Sequence, residues 1–331
     1  MRTMHPTLLV GPADWGASRM PREEFQARLD RLWSDERQAG GAIVYGDAAD
    51  HAALAYLTNF TPKLEPAIAL LSRNGDAKLL VGGGINMIPA AKPLTWIDNL
   101  LPLRSAAKAA GTWSSGLPDG SGVMMIAGDA MRFAMHGEVV ASLGDRAMQD
   151  ATPIVSAQMR RKSSREHTAI KTACQMLGEA VAELRRAKDR GVTAAVLAAE
   201  HVAWRNGAQD VRSLFSLDGG RTLLPFDVPV EAAVDPLQVY LAVRHSGYWA
   251  EGFVMVSALP HAPLIAAEAA LKAALARLNP GATPNALAET LATASSAFAP
   301  HPITAPSCPG SRRSRSSWPG PSSSGASSAN P

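Results

Sequence analysis

The apolar positions of the N-terminal half repeat first with a helical period and then as short strands. From Phe25 to Trp33 they recur at i, i+4, i+7 and i+8, which is typical of one face of a helix. We expect this helix to begin at Pro21, because proline suits the first helical position, and to end before Gly40. The apolar run at residues 42–45 then predicts a short strand.

A hairpin signal follows. Residues 67–71 and 77–81 are apolar runs that flank Asn74-Gly75, and this dipeptide favours a tight β-turn. The remaining predicted elements of this half are a candidate element at residues 53–60, a buried strand at 123–127 and a helix at about 130–143. The series predicts an α/β domain over residues 1–155.

The second half opens with a helix-start signal. Ser163 and Glu166 form an S-x-x-E capping box. The apolar face predicted for the following helix consists of Ile170, Cys174, Leu177, Val181 and Leu184. A second helix is expected to start at Gly191, with Thr193 as its cap, and to end before Gly207.

Strands and two further helices complete the pattern. A strand is predicted at residues 211–217, and two more within 238–257 are joined at Ser246-Gly247. The two helices are predicted at 263–278 and 284–298. Thr283 is the expected cap of the last helix, with Pro284 in its first position.

The last residues have a different composition. Periodic apolar positions vanish after about residue 303, and ten of residues 307–331 are serine. Such a segment cannot bury enough surface to offset its ordering entropy, so residues 304–331 are predicted to be a disordered tail. The abrupt change favours a frameshifted gene end, and a natural disordered tail is the alternative.

Composition narrows the function classes. The net charge of +3 equals the contribution of three arginines in the tail, which argues against a nucleic-acid-binding body. Two cysteines provide neither a disulfide framework nor a thiolate metal site. No export signal and no apolar run of membrane-spanning length is visible, so the expectation is a cytoplasmic protein with no membrane partner.

Residues 238–253 resemble a strand pair of the creatinase/prolidase/aminopeptidase P family, the "pita-bread" hydrolases. That pair reads roughly D-x6-GY-x2-D, and Gly247-Tyr248 matches its centre. The two aspartate positions fall on Tyr240 and Glu251. Three further phrases resemble the same family: YLTNF at 56–60, RRKSSRE at 160–166 and PGATPNAL at 280–287.

The resemblance implies a two-domain α/β protein. Residues 1–155 would form a creatinase-like N-terminal domain, and residues 156–303 the first half of a pita-bread α+β domain, so the chain is expected to be a C-terminally truncated, divergent member. A homodimer is the family's expected assembly. Loss of half a domain also predicts marginal folding, with an exposed aggregation-prone strand at Val239, Leu241 and Val243.

The family's hydrolases hold two divalent ions such as manganese with two aspartates, one histidine and two glutamates. Tyr240 cannot replace a bridging carboxylate, since a neutral phenol has one oxygen and a pKa near ~10. No Asp, Glu or His follows His301. We therefore expect no metal cofactor.

The function expected from this pattern is an inactive homologue of a Xaa-Pro aminopeptidase or creatinase, that is, a pseudoenzyme. One alternative is a non-catalytic protein that binds a small molecule or peptide or assists assembly. The other is a metal-free hydrolase of small C–N compounds, although the family's histidine position after Pro225 holds Phe226. By resemblance the candidate pocket residues are Tyr240, His245, Tyr248, Glu251 and Phe226.

Overall fold

The computed structural model describes residues 15–225, 229–259 and 262–295. The chain divides into two compact units, residues 1–259 and 260–331. The tail predicted at 304–331 lies outside the described residues, and the predicted boundary near residue 155 stays a prediction. Among the helices that the structure describes, none has the length and apolarity needed to cross a membrane.

The first part of the larger unit contains a six-stranded mixed sheet in the order β4-β3-β2-β1-β5-β6. The strands β1–β2–β3 are antiparallel neighbours, and the β3–β4, β1–β5 and β5–β6 pairs are parallel. The strands are β1 Ala39–Gly46, β2 Ala67–Ser72, β3 Ala77–Val81, β4 Asn99–Pro102, β5 Gly122–Ile126 and β6 Met148–Asp150. The helices are α1 Arg22–Asp35, α2 Ala52–Thr58, α3 Ile88–Ala91, α4 Ala106–Ser114, α5 Phe133–Ser142 and α6 Thr152–Arg160.

Helices cover both faces of this sheet. Leu71 faces a core that α1, α2 and α6 complete, whereas its neighbour Leu70 faces a core completed by α4 and α5. Because adjacent strand residues point to opposite faces, a sheet covered on both sides needs apolar residues at consecutive positions. All six residues of β2 are accordingly buried.

Most sequence predictions for this part are confirmed, with one correction at Pro21. The 74–75 hairpin joins β2 to β3. Pro21 is the N-cap of α1 and not its first residue. The candidate element at 53–60 is the buried helix α2, which ends at Asn59 in the left-handed conformation (φ 64°).

The strand β4 and the helix α4 were not predicted. β4 has only four residues and lies at the edge of the sheet, so it gives too few positions for an alternation to show.

The second part of the larger unit is a three-stranded antiparallel sheet in the order β7-β8-β9. Its elements are α7 Ser164–Ala187, α8 Val192–Arg205, β7 Asp210–Ser216, β8 Leu237–His245 and β9 Tyr248–Val256. The predicted hairpin between β8 and β9 is confirmed. Ser246 and Gly247 both have positive φ, 47° and 85°, as a type I′ turn requires.

The capping box of α7 is confirmed, but the predicted apolar face is displaced. The Glu166 N–H donates to Ser163 Oγ at 3.2 Å, and the Ser163 N–H donates to Glu166 Oε2 at 2.8 Å. Cys174 is exposed. The residues buried behind the cap are Ala169, Ala173, Met176, Ala180, Leu184 and Ala187. Small residues at these positions let α7 approach α8, whose buried positions are also alanine and valine.

Thr193 does not cap α8. Gly191 is the N-cap, with φ 98°, a conformation that favours glycine. The Thr193 hydroxyl instead accepts a hydrogen bond from the Val230 N–H at 2.7 Å. It therefore fixes the loop that precedes β8.

The expectation of an exposed β8 strand is wrong. β8 is the central strand, with β7 and β9 on its two sides. Val239, Leu241 and Val243 are almost completely buried in the core formed with α7 and α8. The two helices and the neighbouring strands cover the residues for which we expected exposure.

The second unit contains two described helices that pack on each other, α9 Ala262–Leu275 and α10 Pro284–Ser295. The Ala286 N–H donates to Thr283 Oγ1 at 3.3 Å. The predicted Thr283 cap and Pro284 start are therefore confirmed.

Candidate functional site

The face of the three-stranded sheet that points away from α7 and α8 carries Tyr240 and Glu251, two of the predicted site residues. Alternation along β8 places Val239, Leu241 and Val243 in the core. The residues between them, including Tyr240 and Arg244, point to the opposite face. In the ladder Tyr240 pairs with Phe253, and Ala242 pairs with Glu251, so Tyr240 and Glu251 are diagonal neighbours on that face.

The structure brings Tyr240 and Glu251 together. The Tyr240 hydroxyl donates a hydrogen bond to Glu251 Oε2 at 2.5 Å. This bond, together with burial, raises the pKa of Tyr240 above its ordinary value of 10.0. The phenol is therefore neutral near pH 7 and acts as a donor to the carboxylate.

This pair does not fit a dinuclear metal centre. Two ions that share one water need several anionic oxygen ligands between them. Tyr240 and Glu251 supply one carboxylate, and one of its oxygens already accepts a hydrogen bond from the phenol. Within residues 15–225, 229–259 and 262–295, no cluster of three or more His, Cys, Asp or Glu side chains could hold a metal ion.

Aromatic and cationic side chains cover the rest of this face. The ring centroids of Tyr240 and Phe253 lie 5.2 Å apart. The Arg212 guanidinium lies 4.7 Å from the Trp249 ring centroid, and that of Arg244 lies 6.0 Å from it. Such a surface suits flat or anionic groups, because arginine and aromatic rings stack and arginine pairs with carboxylates.

Tyr248 and His245 lie on the other face of the hairpin. The Tyr248 hydroxyl donates to Glu166 Oε1 at 2.5 Å, and burial raises the pKa of Tyr248 strongly. His245 pairs with Tyr248 in the ladder, and its Nδ1 is buried without a hydrogen-bond partner. Burial lowers the pKa of His245, and Arg19 lowers it further. These two residues therefore do not join the Tyr240–Glu251 pair, and Phe226 lies outside the described residues.

The glycine loop after β7 is a turn. Asp218 accepts backbone N–H bonds from Arg221 and Thr222, each at 3.0 Å. Hydrogen bonds from Thr222 and Ser216 lower the pKa of Asp218. Gly219 and Gly220 have positive φ, and the Asp218 carboxylate is hydrogen-bonded by groups of the same loop.

A cavity of about 230 Å³ lies at the Arg244 end of the open face. Side chains from α1, α2 and the loop after α2 line it together with the β8–β9 turn. Its polar lining includes Arg28, His51, Asn59, Thr61, Lys162, Glu166 and Arg244. Tyr248, one of the predicted pocket residues, also lines this cavity. The sequence analysis did not single out Arg244, although a charged residue inside a predicted strand was a usable signal.

Two carboxylates hold the buried Arg28 at the wall of this cavity. Arg28 Nη2 lies 3.3 Å from Glu24 Oε1 and 3.9 Å from Glu166 Oε2. Arg28 Nη1 also donates to the Tyr56 carbonyl oxygen at 2.6 Å. Glu166 thus caps α7, pairs with Arg28 and accepts from Tyr248, which ties the two sheets of the larger unit together.

The chain is similar to several solved structures. Over 76% of this chain and 70% of the other, it matches X-Pro aminopeptidase from Thermotoga maritima at 17% identity with a TM-score of 0.62. It matches a variant of Escherichia coli aminopeptidase P at 16% identity and TM-score 0.63, over 83% and 73% of the two chains. It matches prolidase from Pyrococcus furiosus at 13% identity and TM-score 0.58, over 82% of this chain and 79% of the other.

These similarities confirm the predicted fold class. The chain is a mixed α/β protein with an aminopeptidase P-like fold. No family model and no curated protein matches the sequence.

Proposed function

We propose that this protein is a divergent member of the creatinase/aminopeptidase P family that lacks dinuclear metallopeptidase chemistry. The observation that carries the proposal is the Tyr240–Glu251 hydrogen bond. By the sequence resemblance these residues stand at the two aspartate positions of the family. Here the phenol of Tyr240 takes the place of one of the two carboxylates and donates a hydrogen bond to the other, that of Glu251.

Charge supports the same conclusion. Two adjacent carboxylates both attract a divalent cation, and its binding also relieves the repulsion between them. Here Glu251 already has a hydrogen-bond donor, and Arg212 lies on the same face. A divalent ion would have to displace the phenol and approach a face that carries arginines.

Metal binding and peptide cleavage test the proposal together. We expect the full-length protein, dialysed against manganese, cobalt or zinc, to retain no stoichiometric metal in elemental analysis. It should also fail to cleave a Xaa-Pro peptide. Tyr240→Asp restores the second carboxylate and should raise manganese affinity measurably above that of the unmodified chain, since it removes the donor and adds a ligand.

Glu251→Gln is the matched control, because it keeps the side-chain shape and removes the charge. Two tightly bound ions per chain, or cleavage that Glu251→Gln abolishes, would overturn the proposal.

A second candidate function is non-catalytic binding of a small molecule or peptide. The specific observation in its favour is the cavity beside Arg244, whose lining combines cationic and apolar side chains. Ligand-dependent thermal shifts of the intact chain would test this candidate.

A further inference from the structure

Arg244 is a buried cation that forms no ion pair within the described part of the chain. The residue is 7% exposed, and burial lowers the pKa of its guanidinium. Its Nη2 donates to Thr61 Oγ1 at 3.1 Å, while its Nε is buried without a hydrogen-bond partner. Among residues 15–225, 229–259 and 262–295 no carboxylate forms an ion pair with it. Asp210, the nearest acid in the ladder, pairs with Arg212 at 3.6 Å.

A buried charge in this state is costly. Buried charges in proteins are normally paired, and buried donors are normally hydrogen-bonded, because the dehydrated group otherwise loses its interactions with water. Arg244 lines the cavity of about 230 Å³. An anion in that cavity would supply both the missing charge and the missing acceptor.

The other ionisable groups of the cavity leave it positive. Arg28 is compensated by Glu24 and Glu166. Lys162 donates to the Met159 carbonyl oxygen and has no ion pair in the part of the chain that the structure describes. Burial and the charge of Arg244 lower the pKa of His51, so this imidazole is neutral near pH 7. Arg244 and Lys162 therefore have no ion-pair partner among the described residues, although the charge of Asp210, opposite Arg244 in the ladder, favours the charged guanidinium.

Much of the remaining cavity wall is apolar or aromatic. This part includes Met20, Phe25, Ala55, Met159, Trp249 and the ring of Tyr56. A cavity with a few convergent polar groups in an apolar wall is the usual form of a small-molecule site. The volume corresponds to roughly eight water molecules at about 30 Å³ each, which sets the size of the ligand.

We propose that this cavity binds a small organic carboxylate, with its carboxylate on Arg244 and its apolar group against the aromatic and methionine wall. Arginine suits this role because its planar donors match the two carboxylate oxygens. The site differs from the Tyr240–Glu251 pair and does not depend on it. The carboxylate can belong to a free acid or to the C-terminus of a short peptide.

Calorimetric titration of the full chain with matched ligands tests the proposal. The probes are 3-phenylpropionate and its neutral amide, and glycyl-phenylalanine and its C-terminal amide. We expect each carboxylate to bind at least about tenfold more tightly than its amide, because a hydrogen-bonded ion pair is lost in the amide. Preference for the free acid or for the dipeptide identifies the source of the carboxylate.

Two variants locate the binding. Arg244→Gln should weaken carboxylate binding at least about tenfold and leave amide binding unchanged. Arg212→Gln is the matched control, since this arginine also lies over Trp249 but its side chain is 67% exposed and outside the cavity. The Arg212→Gln variant should bind the carboxylates with an affinity within about twofold of that of the unmodified chain.

Ala55→Leu keeps the proposal testable if Arg244→Gln does not fold. Ala55 is half-buried on α2 and lines the cavity, so a larger side chain there should abolish binding while Arg244 stays in place. Equal affinities for carboxylate and amide, undiminished binding by Arg244→Gln and by Ala55→Leu, or no carboxylate binding at millimolar concentration would each overturn the proposal. None of these measurements involves metal or cleavage, so this site can fail while the proposed loss of metallopeptidase chemistry holds.

Discussion

The two sheets of the larger unit are built from the same kinds of strand but are covered differently. The six-stranded sheet has a helical layer and an apolar core on each face. The three-stranded sheet packs α7 and α8 on one face. On its other face Phe253 is 77% exposed, and Tyr240, Glu251 and Arg212 lie beside it.

The two sheets therefore differ in how many of their strand positions are used for packing and how many can carry functional side chains. In β1 and β2 of the first sheet every position is buried, so few positions there are free for chemistry. In β8 of the second sheet alternate positions form the core with α7 and α8, and the positions between them include Tyr240 and Arg244 of the candidate sites. The comparison predicts that substitutions in the second sheet should depend on face, whereas substitutions in the first should not.

The largest expected effect is at Glu166, which connects the two regions. Glu166→Ala removes the Glu166 side-chain half of the α7 capping box and leaves Arg28 with one carboxylate and Tyr248 without the Glu166 acceptor. Breaking a buried ion pair from one side typically costs about 3–5 kcal/mol. We therefore expect the free energy of unfolding, measured in urea, to fall by about that amount.

Glu183→Ala is the control on the same helix. Glu183 pairs with Arg186 at 2.8 Å, and the arginine side chain is 72% exposed. Exposed pairs contribute about 0–1 kcal/mol, so this variant should unfold close to the unmodified chain. Similar losses in both variants would show that Glu166 is not the link between the sheets.

Leucine truncations test the coverage of the sheets directly. Leu70→Ala and Leu71→Ala remove buried side chains on opposite faces of β2, and each should cost about 2–5 kcal/mol. Leu241→Ala should cost the same, because this residue lies in the covered core of the second sheet. Phe253→Ala, on the open face, should change stability by no more than about 0.5 kcal/mol. A large loss from Phe253→Ala in urea melts would show that this face is covered.

The same tyrosine substitution on the two faces gives a smaller contrast. Tyr248→Phe leaves an acceptor lone pair of the buried Glu166 unsatisfied, which should cost about 1–3 kcal/mol. Tyr240→Phe frees an oxygen of the exposed Glu251 to bind water, and should cost no more than about 0.5 kcal/mol. Thermal melts of both variants measure the difference. Equal costs would contradict the assignment of the two hydroxyl groups to different environments.

The smallest expected effect is a dependence on pH. Burial and the charge of Arg244 lower the pKa of His51 from its ordinary value of 6.5. As the pH falls below 6.5, the unfolded chain takes up this proton before the folded chain does, so stability decreases toward acid. His245, also shifted downward, acts in the same direction. Melting temperatures between pH 8 and pH 5 should fall less in His51→Gln than in the unmodified chain. If melting temperature depends on pH equally in both proteins, the pKa of His51 is not lowered by folding.

Local patterns in the sequence determined the turns, the caps and the type of most elements. Asn74-Gly75, Ser246-Gly247, the Ser163–Glu166 box and the Thr283 cap each depend on residues a few positions apart. Backbone conformation and hydrogen bonding within one turn decide such features. The alternation in β8 likewise showed that Val239, Leu241 and Val243 share a face.

Only the tertiary structure decided which of these faces is covered and what lies at the sites. The buried face of α7 follows its alanines and not its larger residues, because close approach to α8 favours small side chains. Thr61 and Arg244 are 183 positions apart and meet through one hydrogen bond. No periodicity encodes such a contact, since it arises where two independently patterned segments pack together.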